Sequence, residues 1–323
     1  MSQFLSNCDA SVMGDAATVL IKGGLVAFPT ETVYGLGADA CNEMAIARIY
    51  SVKGRPADHP LIVHVASMDS LGVWAADVPA YAIALARDYW PGPMTLVVQR
   101  SSLAADFITG GQDTVGVRVP NHPVALGLLD AFAKAGGKGM AAPSANRFGN
   151  VSPTTAQAVS DELGDYLAGS DVILDGGACA VGVESTIIDC TGDVPKILRP
   201  GAITEEMIEY STGLDVLDAD GVAIRVSGSL ESHYSPNALV VLDQLPVAGQ
   251  GFIGMADVAT PNGVTRLAAP ESHEDFARIL YSALRAADEK GLNVVVVAQP
   301  EGEGIAIAIR DRLMRAAHND SSG

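Results

Sequence analysis

The chain has 323 residues, 48% hydrophobic, 5% aromatic and 18% charged, a globular mix long enough for two domains and a sizeable core. Its formal net charge of −18 excludes broad electrostatic binding to nucleic acid or an anionic membrane, though not a local basic pocket for a nucleotide. The four cysteines (Cys8, Cys41, Cys179, Cys190) form no C-x-x-C pair and read as reduced, mostly buried thiols of a cytoplasmic protein; there is no signal-peptide pattern, and no apolar run reaches the ~20 residues that span a bilayer.

In chain order, a helix is predicted at 15–22, then a short buried strand at 24–28. Pro29 cannot donate to a ladder and ends that strand. Thr30-Glu31-Thr32-Val33-Tyr34 and Gly35-Leu36-Gly37 follow, the latter read as a close-packed turn. Hydroxyls and a carboxylate just past a buried strand are poorly placed for packing and well placed to hold a ligand. The run from Gly35 to Ala40 fits a loose dinucleotide fingerprint, but five residues separate it from its strand, and no P-loop sequence occurs anywhere.

Asn42 caps a predicted helix at 43–53 with Met44, Ala47 and Ile49 on one face, stopped by Gly54 and Pro56. Strands are expected at 60–65, 94–98 and 114–119, with helices at 79–89 and from Pro123 to about 135. A helix near 154–163, strands at 171–174 and 183–190, and a helix capped by Thr204 complete the first part. Residues 227–236 have linker composition. Beyond them a strand at 238–242, apolar stretches near 252–255 and 264–268, a helix at 273–289, a strand at 293–298 and a last helix to about 317 predict a small α/β domain with a mostly parallel sheet.

Several polar residues interrupt this pattern. Lys53-Gly54-Arg55-Pro56 gathers two cations at a helix end, in a segment (1–226) with 13 Lys and Arg against 26 Asp and Glu. Arg118 interrupts an apolar strand; it is either solvent-facing on an edge or a buried fork for a carboxylate. His59 and His64, five apart across a strand, face opposite sides and share no metal. Pro143-Ser144-Ala145-Asn146 and Ser152-Pro153-Thr154 are either plain loops or phosphate-binding donors. Glu184, Ser185 and Thr186 stand where a strand would carry apolar residues. None of these is a nucleophile–base pair. Together they imply a crevice for a small, polar, anionic ligand, without naming a reaction.

The motifs A-F-P-T-E-T-V-Y-G-L-G, K-G-R-P-A-D-H-P-L-I-V-H, W-P-G-P-M-T, D-T-V-G-V-R-V-P, A-A-P-S-A-N, V-S-P-T, G-V-E-S-T-I-I-D and L-R-P-G resemble the threonylcarbamoyl-AMP synthase family of YrdC type, over residues 15–210. Ser232-His233-Tyr234-Ser235-Pro236 and the segment from Leu280 to Asp288 resemble its long, two-domain form. The resemblance implies a twisted mixed α/β sheet with a concave cavity in residues 1–213, a linker and lid at 214–236 and a Rossmann-like α/β domain at 237–323.

The family makes threonylcarbamoyl-AMP from L-threonine, bicarbonate and ATP, with Mg2+ and release of pyrophosphate, for threonylcarbamoyl-transfer proteins acting on tRNA. Carried over by motif, Thr30, His64, Arg118 and Ser185 would hold threonine. Lys53, Arg55, His59, Thr114, Ser144, Ser152, Arg199 and Tyr234 would hold ATP, with Lys53 and Arg55 catalytic through charge; His59 stands where many relatives have asparagine. The alternatives are an RNA-binding module, which the charge opposes; a hydrogenase-maturation carbamoyl-transfer domain, which would bring C-x-x-C pairs; and a YciO-type paralogue with another substrate.

Overall fold

The computed structural model describes residues 3–6, 8–217, 224–228 and 234–318; Ser232 and His233 of the linker signature lie outside them. Among the described residues, eleven strands form one mixed sheet. From one edge its order is Gln3–Leu5, Val172–Leu174, Val26–Phe28, Gly35–Asp39, Met140–Ala141, Ile62–His64, Thr114–Arg118, Met94–Arg100, Thr186–Asp189 and Lys196–Arg199, with Ala75–Asp77 also paired to Met94–Arg100. Apolar strand residues such as Val26, Val63, Leu96 and Val117 are fully buried, and this burial supplies the core.

Helix ends follow their caps. Asn42 accepts from the Ala45 amide and starts Glu43–Lys53, which Gly54 ends at φ 63. The face of that helix is rotated from expectation: Ala45, Ile46, Ile49 and Tyr50 are buried, whereas Met44 is 76% exposed and Ala47 is also exposed. The first helix runs Ala10–Ile21 rather than 15–22, because Asp9 accepts from the Ser11 and Val12 amides and so sets an earlier start. Only Cys179 and Cys190 are buried; Cys8 is half-buried and Cys41 exposed.

The largest departure is at residues 35–39. This segment is not a turn but a strand, antiparallel to Val26–Phe28. Glycine suits it because the Phe28 ring lies across it: a Cβ at Gly37 would come within 3.0 Å of Phe28 Cε1. The intervening residues therefore form the loop of a hairpin whose arms are both in the sheet.

The second sheet is parallel throughout, in the order Leu239–Leu242, Val294–Val297, Gly251–Ile253, Thr265–Ala268. Helix His273–Glu289 buries Phe276, Ala277, Leu280, Tyr281, Ala283, Leu284 and Ala287, a stripe at helical spacing, and Ser272 caps it. Its core is continuous with the first part of the chain through Val33, Val151, Val183 and Tyr234. Gly182, at φ +84, lies against the backbone of Ala277 and Arg278 with no room for a Cβ. No described helix is long and apolar enough to cross a membrane.

Candidate active site

A concave cavity opens where several strands of the large sheet end. His64 and Arg118 are the last residues of neighbouring parallel strands and stand in register, so both side chains leave the sheet on one face. Thr30 and Thr32 come from the hairpin loop, and Glu184 and Ser185 from the approach to Thr186–Asp189. Arg55, Ser144, Arg199, Ser227, Gly228 and Tyr234 complete the lining.

The floor is built around Arg118, which is buried on an interior strand. Its Nη2 lies 2.7 Å from Glu31 Oε1 and donates to Thr32 Oγ1 at 3.0 Å. Glu31 Oε2 accepts from the Asn121 amide at 3.0 Å, which fixes the carboxylate behind the guanidinium. Thr30 Oγ1 donates to Val33 O at 2.6 Å and accepts from the Thr32 and Val33 amides, closing the loop on itself. His64 is fully buried with its ring edge-on to Phe28; burial and the Arg118 charge lower its imidazole to about 3, so it is neutral at pH 7.

The wall at Glu184 and Ser185 is held by two arginines, Arg199 and Arg312. Arg199 donates from Nε and Nη2 to Ser185 O, at 3.1 and 2.9 Å, and from Nη1 to Ser227 O at 2.8 Å, tying wall to linker. Ser185 Oγ lies 2.8 Å from Thr95 Oγ1. Glu184 accepts from Ser152 Oγ at 2.6 Å, from Tyr281 Oη at 2.7 Å and from Arg312 Nε at 2.9 Å. Burial would raise this carboxyl, but the Arg312 and Arg199 charges and the two hydroxyl donors outweigh it and hold it down at about 2.

Among the described residues, Arg55 Nε, Arg118 Nε and His64 Nδ1 are buried without a hydrogen-bond partner. Three such nitrogens around one cavity are a set of directional groups that a polar ligand can satisfy.

A family profile described as "Telomere recombination", covering Sua5, YciO and YrdC proteins, matches residues 18–201, and one described as "Threonylcarbamoyl-AMP synthase, C-terminal domain" matches residues 203–318. The chain belongs to the threonylcarbamoyl-AMP synthase family, in its two-domain form. A threonylcarbamoyl-AMP synthase of Pyrococcus abyssi is 38% identical over 94% of this chain and 93% of its own, and one of Bacillus subtilis 37% identical over 97% and 94%. The crystal structure of P. abyssi Sua5 complexed with L-threonine superposes with a TM-score of 0.87 at 37% identity, over 98% of this chain and 97% of that one. Escherichia coli YciO matches only 62% of this chain, with a TM-score of 0.53.

Eight of the residues expected for a synthase site line the cavity: Thr30, Arg55, His64, Arg118, Ser144, Ser185, Arg199 and Tyr234. Four do not. Lys53 is buried beside the cavity, and its ammonium donates to Ser144 O at 2.6 Å and to Asn146 O, so it braces the Ser144 loop. Burial, then the Arg55 charge, lowers its pKa well below the usual lysine value. His59 precedes strand Ile62–His64 and sits edge-on to Phe148, the ring that Arg55 also covers. Thr114 lies in an adjoining smaller pocket with Thr95 and Ser227. Ser152 is spent on Glu184.

The Glu31 carboxylate stood out in the sequence as a ligand-holding group but with no role assigned, and Arg312 was passed over; the partners of both are distant in the chain.

Proposed function

We propose that this chain joins L-threonine, bicarbonate and ATP into threonylcarbamoyl-AMP and releases pyrophosphate. The observation that carries the reading is the cavity in which Arg55, Arg118 and His64 each keep a buried nitrogen without a partner among the described residues. The solved relative complexed with L-threonine adds support. In this reading residues 1–213 are the catalytic unit, 214–236 the linker and lid, and 237–323 the second domain.

The chemistry needs no covalent enzyme intermediate. The threonine amine attacks the carbon of bicarbonate and water leaves, giving a carbamate. A carbamate oxygen then attacks the α-phosphate, and the bond to pyrophosphate breaks. Catalysis is then positioning and electrostatics. Arg118, already fixed by Glu31 and Thr32, receives the threonine carboxylate through its remaining donors. Neutral His64 can accept from the threonine amine or hydroxyl. Thr30 and Ser185 shape that pocket. Arg55, which burial lowers only to about 10, stays cationic at pH 7 and with Arg199 offsets phosphate charge. Ser144 and Tyr234 border the same space, and Lys53 acts by holding the Ser144 loop. A carbamate is hydrolytically fragile, so the linker residues over the cavity serve to exclude water.

The residues do not fit a resident magnesium site. Glu31 and Glu184 are committed to arginines, and no cluster of metal-ligating side chains occurs among the described residues. Magnesium therefore belongs to the substrate, as the companion of the ATP phosphates. The product is an activated carbamoyl donor, consumed by threonylcarbamoyl transfer to tRNA. The test is to incubate the purified protein with ATP, bicarbonate and threonine. Pyrophosphate release that requires threonine is expected; release indifferent to threonine, or none, contradicts the reading.

A further inference from the structure

The second domain reaches into the cavity wall. Arg312, on helix Ile305–Ala317, is 1% exposed and spreads its guanidinium over three partners: Glu184 Oε2, Pro200 O at 3.0 Å and Asp311. Tyr281, on helix His273–Glu289, is fully buried and donates to the same Glu184 oxygen. The Tyr234 ring stacks on Tyr281 with centroids 5.6 Å apart and planes 24° apart, while the Arg312 guanidinium lies 5.5 Å from the Tyr234 centroid. Glu184 and Tyr234 both line the cavity; Arg312 and Tyr281 stand behind them.

We propose that Arg312 and Tyr281 are positioning residues through which the second domain fixes the Glu184–Ser185 wall and the Tyr234 ring in the geometry that the reaction needs. The proposal rests on the synthase reading above. Its physical content is over-determination. Glu184 has one oxygen on Ser152 of the first domain and the other on two donors of the second, so the wall is registered against both. Tyr234 holds φ 65, a left-handed conformation uncommon for a side-chain-bearing residue, and the stack on Tyr281 and Arg312 keeps it there. Ser185 follows Glu184 directly, so a loosened Glu184 moves a residue that faces threonine in the proposed reaction.

The test uses the full chain with Tyr281→Phe, which keeps the ring but removes the donor, and Arg312→Lys, which keeps the charge but not the fork. Val295→Ala, buried on strand Val294–Val297 of the second sheet, serves as the control for stability alone. Tyr281→Phe and Arg312→Lys should each lower kcat/KM for threonine by about tenfold, a loss typical of a sub-ångström misplacement, chiefly through KM. Val295→Ala should lower the melting temperature more than either and leave kcat/KM unchanged well below its melting point. Full activity in both hub variants, or an activity loss in Val295→Ala matching theirs, would overturn the proposal. Absence of threonine-dependent product from the unaltered chain would instead remove the synthase reading on which it stands, so the two failures are told apart.

Discussion

The cavity is bordered by two buried carboxylate–arginine pairs, and they are built the other way round. On the floor, Arg118 faces the cavity and Glu31 stands behind it, both from the first domain. On the wall, Glu184 faces the cavity and Arg312 stands behind it, supplied by the second. A buried ion pair is a weak source of net stability, because desolvation offsets much of the attraction, whereas breaking one leaves an uncompensated charge. Their common service is orientation. The floor pair presents a cation to a ligand with its hydrogen-bonding plane already set; the wall pair presents a satisfied carboxylate that anchors backbone and linker. In the proposed reading one pair serves binding and the other joins the domains.

The comparison can be broken at the floor first. Arg118→Ala should reduce kcat/KM for threonine by about 100-fold or more, since truncating a buried charged partner costs about 2–5 kcal/mol, while calorimetric ATP affinity stays nearly constant. Equal loss for both substrates would show that Arg118 is not a threonine residue.

Truncation after Gly213 removes Tyr281 and Arg312, two of the three side-chain partners of Glu184, together with Tyr234. A fragment that keeps its circular dichroism but loses roughly 100-fold in activity is expected from the lost positioning. Unchanged activity would refute the role given to the linker.

Glu31→Gln should act more mildly, raising the threonine KM by about tenfold, because Arg118 keeps Thr32 but loses the charged partner that orients it. Steady-state kinetics at saturating ATP checks this.

The last effect is on pH. His64 is lowered from 6.5 to about 3 in the folded chain, so between those values the unfolded state takes up the proton and the folded state does not. Stability contributed by this group is therefore complete above pH 6.5 and falls as pH drops toward 3, by about 1.4 kcal/mol per pH unit at most. Denaturant midpoints measured from pH 7 to 4 should decline less steeply for His64→Gln than for the unaltered chain; parallel curves would place the titration elsewhere.

Much of this was legible in the chain, and for physical reasons. Helices Glu43–Lys53 and His273–Glu289 match expectation to the residue because Asn42 and Ser272 cap them. Arg118 stood out because a guanidinium amid apolar strand residues either faces solvent at an edge or, if buried, needs a partner. The strand Gly35–Asp39 was hidden because two glycines signal a turn unless an aromatic ring fills the space that their side chains leave. Met140–Ala141 is too short to carry a pattern. Arg312 was hidden because its helix also carries Arg310, Asp311 and Arg315, and sequence periodicity does not say which charge a neighbouring domain will cover. Lys53 was expected at the phosphates, but its immediate partners are two backbone carbonyls rather than open cavity.

The most direct test of the central claim is a crystal structure of this chain with L-threonine and a non-hydrolysable ATP analogue. The threonine carboxylate should lie on Arg118, the side-chain hydroxyl or amine within reach of His64, and the phosphates on Arg55 and Arg199. Threonine bound elsewhere, with Arg118 contacting only Glu31 and Thr32, would contradict it.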